Sequence, residues 1–118
     1  MPYRFEFKQV PFYALLFIVT YLSLLPAIEV QGPEISDKVL HFLAYFGTST
    51  MAYLGFPRAT WRLALFIILW GIGIELVQWQ LPTRTFELLD MVANSLGGLA
   101  GWQLVRHTKR FFCNDGYA

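Results

Sequence analysis

A glutamate at position 75 interrupts the run LALFIILWGIGIELVQ of residues 63–78, which is otherwise aliphatic and aromatic up to Gln78. An ionisable group within such a run costs about 2.5–3.5 kcal/mol on membrane-insertion scales, and groups of this kind usually face a bundle interior and pair with one another. Partners of suitable chemistry occur on both sides in the chain. Asp37, His41 and Tyr45 recur at four-residue intervals, which puts them on one helical face, with Lys38 beside them. Asp90 and Asn94 repeat the interval downstream, and Gln78 and Arg84 follow Glu75.

Two kinds of chemistry suit these residue types. A histidine beside a carboxylate can act as general acid or base near neutral pH, so His41 is a candidate catalytic group, with Glu75, Asp90 or Asp37 to orient it. Lys38 and Arg84 suit an anionic group such as phosphate, Arg through its two-pronged donor geometry, and Gln78 and Asn94 offer orienting hydrogen bonds. On this reading His41, Glu75 and Asp90 are the catalytic candidates, and Asp37, Lys38, Gln78, Arg84 and Asn94 the substrate-binding ones. No serine or cysteine falls within the motif blocks at the same depth, so a covalent mechanism is not indicated. His41 has no HxxxH or ExxH partner, so neither a metal nor another cofactor is expected from the spacing.

The elements that must position these groups follow from hydropathy. The 118 residues are 56% hydrophobic and 14% charged, against roughly 45–50% and 25% in an ordinary soluble domain. Four stretches approach the roughly 20 apolar residues that a membrane-crossing helix needs: 9–28, 39–57, 63–81 and 88–105. Arg4 and Lys8 before the first stretch resemble a signal peptide, but no small-x-small site follows, and an uncleaved helix is expected. The expected fold is therefore all-α, a single membrane domain over 1–118 with four transmembrane helices.

Charge bias orients it. Arg4, Lys8, Arg58, Arg62, Arg106, Lys109 and Arg110 flank one side of the spans, and only Lys38 and Arg84 the other. Because cytoplasmic flanks are enriched in Lys and Arg, both termini are expected in the cytoplasm, with Trp61 and Trp102 at the inner interface and Trp79 at the outer one. The polar candidates then share the outer third of the membrane. Ala93, Gly97 and Gly101, with Gly98 beside them, form a small-xxx-small face suited to close helix packing, within the chain or in a homo-oligomer, and Gly71 and Gly73 are possible counterparts near Glu75. No basic stretch suggests nucleic acid, and Cys113, the sole cysteine, excludes an intrachain disulfide.

Taken together, Asp37-Lys38-x-x-His41-Phe42-x-x-Tyr45-Phe46-Gly47, Glu75-x-x-Gln78 with Pro82-x-Arg84, and Asp90-x-x-x-Asn94-x-x-Gly97-Gly98-x-x-Gly101 resemble the VanZ-like family of small bacterial membrane proteins over residues 36–105. The resemblance implies a multi-pass protein of the bacterial cytoplasmic membrane, whose family namesake is associated with raised resistance to the glycopeptide teicoplanin. It implies the same eight polar residues as the motif positions. The expected partner is a membrane lipid or lipid-linked envelope precursor that the site binds or modifies. The alternative is a structural or assembly protein whose polar cluster clamps the helices without catalysis.

Overall fold

The computed structural model describes residues 5–24, 34–80 and 88–114. A 3-10 turn, Phe7–Gln9, leads into four helices: α1 Val10–Leu24, α2 Glu34–Gly55, α3 Trp61–Gln80 and α4 Leu88–Asn114. No strand occurs among the described residues. The helices run up, down, up, down. Thus α2 and α4 descend together, with Lys38 beside Asp90 at one end and Lys109 beside Tyr53 at the other. The ascending pair is tied by Trp70 Nε1, which donates to Thr20 Oγ1 at 2.8 Å.

Helix limits depart from the hydropathy limits in two places. The second helix starts at Glu34, five residues before the apolar stretch, and the fourth continues to Asn114, nine residues beyond its stretch. Apolarity marks what lipid or core can take, whereas a helix extends as far as its backbone hydrogen bonds and terminal charges favour it. The exposed Arg106 lies beyond the apolar stretch of α4 without interrupting its helix, since Arg is a good helix former.

The contact between α2 and α4 is the most extensive in the bundle, and glycines permit it. A Cβ at Gly97 would collide with the Phe42 carbonyl, and one at Gly101 would lie 2.7 Å from both the Phe46 carbonyl oxygen and Ser49 Cβ. The backbones therefore touch, and Ser49 Oγ donates to the Gly98 carbonyl at 2.6 Å across the seam. Gly98 itself faces α3, against Ile67 and Ile68, and Ala93 is half-buried. Gly71 makes room for the Tyr45 ring, since a Cβ there would stand 3.0 Å from it. Gly73 differs from its sequence expectation: among the described residues, nothing beyond its own stretch of helix backbone lies within 4 Å of the position its Cβ would take.

At the lower end Tyr53 binds the turn between α2 and α3, its hydroxyl donating to the Thr60 carbonyl at 2.6 Å and accepting from the Ala64 amide at 2.8 Å. Lys109 donates to the Tyr53 and Pro57 carbonyls and so caps α2. Gln9 is buried against the same end and donates to the Gly55 carbonyl at 3.3 Å.

Polarity is distributed inside out. Buried positions include Gln9, Thr48, Ser49, Glu75, Gln78, Asp90 and Asn94, while Phe17, Leu22, Leu40, Leu69, Leu76, Leu88 and Leu96 are exposed. In water such a surface would be costly, because apolar area is stabilised by leaving the solvent at about 25 cal/mol per Å2. Among the described residues, Phe7–Leu24 and Trp61–Gln80 are long and apolar enough to cross a membrane. Helices α2 and α4 carry most of the buried polar groups, and these lower their apolarity.

Candidate functional site

The candidate residues gather where α2 and α4 begin and α3 ends. Lys38 and His41 lie in the first two turns of α2, Glu75 and Gln78 in the last two of α3, and Asp90 and Asn94 in the first two of α4. Alternating helix direction gives these segments one depth. At 1.5 Å per residue Glu75 stands roughly 7–8 Å below the α3 end.

Asp90 is the hub. Its Oδ1 lies 2.8 Å from Lys38 Nζ, and its Oδ2 lies 3.7 Å from His41 Nε2. The first is an ion pair of hydrogen-bonding length. The second is beyond hydrogen-bonding length, so the imidazole faces the carboxylate without being bound to it. Glu75 comes from the third helix and is only 1% exposed. One ligand-type atom from each of His41, Glu75 and Asp90 lies within 4.8 Å of the other two. One imidazole and two carboxylates at this spacing can hold a proton between them, orient the histidine, or ligate a metal.

Two buried polar residues lie one helical turn from members of this group. Asn94 lies one turn along α4 from Asp90, and Tyr45 one turn along α2 from His41, each 2% exposed. The Asn94 Oδ1 and Tyr45 hydroxyl oxygens have no hydrogen-bond partner among the described residues. Tyr45 is within electrostatic reach of Glu75.

Six of the eight sequence candidates thus have described side chains, and five of them, Lys38, His41, Glu75, Asp90 and Asn94, belong to this cluster. Gln78 is turned to another task, its Nε2 donating to the Ser23 carbonyl of α1 at 2.6 Å. The side chain of Asp37 and all of Arg84 lie outside the described residues. Sequence reasoning placed Tyr45 on the right face without giving it a role, and it passed over Ser49 and Gln9. The four-residue interval from His41 was the signal for Tyr45. For Ser49 and Gln9 the partners are backbone carbonyls of distant segments, which no local pattern announces.

No solved structure matches the chain. An uncharacterized protein of Schizosaccharomyces pombe is 41% identical over 91 residues, covering 73% of this chain and 54% of the relative. The chain therefore spans about half the length of that relative. The family model described as VanZ/LLP1 matches residues 3–111, nearly the whole sequence, and the chain belongs to the VanZ/LLP1 family.

Proposed function

We infer that this chain is a multi-pass membrane protein with four spanning helices and cytoplasmic termini, whose polar cluster opens toward the outer leaflet and binds or modifies an anionic, phosphate-bearing lipid or lipid-linked component. The observation that carries this reading is the convergence of Lys38, His41, Glu75, Asp90 and Asn94 from three helices at one depth, inside a bundle with an apolar exterior. A structural bundle needs one ion pair to fasten two helices. The additional buried oxygens of Asn94 and Tyr45 and the half-buried His41 are more than fastening requires.

Lys38 supplies the cation that meets phosphate while Asp90 holds it in place, and Asn94 adds an orienting amide. His41 is placed to take or give a proton at the bound group, with Asp90 and Glu75 to set its orientation. The exposed leucines and phenylalanines around the helix exteriors offer apolar surface to acyl or prenyl tails. In a bacterium the membrane is the cytoplasmic one, and the component belongs to the envelope. The similarity to a yeast protein is compatible with a headgroup chemistry, phosphate on lipid, common to both kinds of cell.

The test is native mass spectrometry of the gently solubilised protein beside His41→Ala and Asn94→Ala. A co-purifying phosphate-bearing lipid, lost from both variants while helicity and thermal stability are kept, is the expected result. Expression of the wild type in a glycopeptide-sensitive host should raise the inhibitory concentration of teicoplanin, and His41→Ala should not. A clamp without a ligand is the competing reading, favoured by the Lys38–Asp90 pair that joins α2 to α4. It would be preferred if no lipid co-purifies and both variants are unstable.

A further inference from the structure

We propose that His41, Glu75 and Asp90 form a binding site for one divalent transition-metal ion of the zinc or manganese class. The three residues come from three helices, yet each offers a ligand atom within 4.8 Å of the others. Metal bonds to imidazole nitrogen and carboxylate oxygen are about 2.0–2.2 Å, so two ligands of one ion stand roughly 3–4 Å apart. The 3.7 Å between His41 Nε2 and Asp90 Oδ2 lies in that range and is too long for a hydrogen bond. The widest separation, 4.8 Å, needs to close by less than about 1 Å, which rotation of a carboxylate supplies.

The donor set selects the ion. A nitrogen ligand disfavours magnesium and calcium, which take oxygen, and the absence of sulfur from the triad disfavours cuprous copper. Lys38 has a part in the geometry. By holding Oδ1 of Asp90 at 2.8 Å it leaves Oδ2 on the His41 side, as outer partners commonly orient a ligating carboxylate.

A second observation points to a ligand at the same place. The oxygens of Asn94, one helical turn from Asp90, and of Tyr45, one turn from His41, are buried without a hydrogen-bond partner among the described residues. A buried oxygen left so costs about 1–3 kcal/mol. Three protein ligands leave coordination positions for water, and metal-bound water donates strong hydrogen bonds to such acceptors. The ion stands on this geometry whether or not a lipid headgroup binds. Where both do, His41 serves as a ligand and not as a proton carrier, and the open coordination position is where an anionic oxygen would meet the metal.

The experiment is titration of chelator-stripped, detergent-solubilised full chain with ZnCl2 or MnCl2 alone, followed by elemental analysis after gel filtration. One ion per chain is expected, with a higher melting temperature on metal addition. His41→Ala, Glu75→Gln and Asp90→Asn should each weaken binding at least about tenfold, whereas Gly73→Ala, in open space, should bind as the wild type does. Pulsed EPR of the Mn2+-loaded wild type gives a readout that does not depend on any variant folding, and coupling to one histidine nitrogen is expected. Absence of that coupling, no binding of either ion by the wild type, or undiminished binding by all three folded variants would each overturn the assignment. A metal site without lipid, or lipid without metal, separates this proposal from the headgroup reading.

Discussion

Lys38 of α2 and Asp90 of α4 form a 2.8 Å ion pair at the mouth of the two helices whose backbones are in closest contact. The pair is mostly shielded, the lysine side chain being 24% exposed and the aspartate 11%. It therefore fastens the open end of the α2–α4 seam while turning the second carboxylate oxygen of Asp90 toward His41.

Removing one member takes from the other, which stays shielded, its 2.8 Å partner. In chelator-treated protein Lys38→Met should destabilise by about 1–3 kcal/mol, less than a fully buried pair because water reaches the lysine. The double variant Lys38→Met/Asp90→Leu should recover part of that loss. Thermal unfolding in detergent measures the cycle, and simple additivity would show that the pair does not couple the helices.

Close approach of the backbones makes two glycines irreplaceable and a third neutral. Gly97→Leu and Gly101→Leu should force α2 and α4 apart, at about 1–3 kcal/mol or more each, and lower the amount of folded protein in the membrane. Gly73→Ala should match or slightly exceed the wild type, since alanine favours the helix and meets no atom there. Equal tolerance at Gly97 and Gly73 would contradict the seam described above.

Tyr53 is both donor and acceptor at the turn between α2 and α3. Tyr53→Phe keeps the ring stacked near Trp102 and removes only the hydroxyl, leaving the Thr60 carbonyl and Ala64 amide without it. A loss of about 1–2 kcal/mol is expected. Hydrogen exchange should rise at Ala64 before it rises at the polar cluster, and uniform acceleration along α3 would argue against a local role.

Orientation is testable by thiol labelling. In a Cys113→Ser background, Trp79→Cys should react with a membrane-impermeant maleimide in intact cells, and Arg58→Cys only after permeabilisation. Both positions are exposed on the protein and lie at opposite ends of the bundle. The reverse pattern would put the polar cluster on the cytoplasmic side and invert the charge-bias argument.

Helix content and the polar residues that share a depth were legible because each rests on local rules: apolar run length, proline and glycine breaks, and the four-residue interval of one helical face. Helix ends were less so, since Glu34 and the stretch beyond 105 are helical without being apolar. Gln78 illustrates a different limit. Its depth agreed with the cluster, but only the packing of α1 against α3 decided that its amide reaches Ser23.

The sequence by itself determined four helical segments, a small-residue face on the last of them, and a set of acids, amides and bases at one end of the bundle. The tertiary structure decided which of these meet. Asp90 stands between Lys38 and His41, Glu75 completes a triad with His41 and Asp90 across three helices, and Gly97 and Gly101 bring two backbones into contact. The physical reason is that helical periodicity specifies a residue's depth and face, whereas the distance between faces of different helices depends on how closely their backbones pack. A metal-binding or catalytic group assembled from three helices has no spacing rule along the chain, and it exists only once those helices are seated against one another.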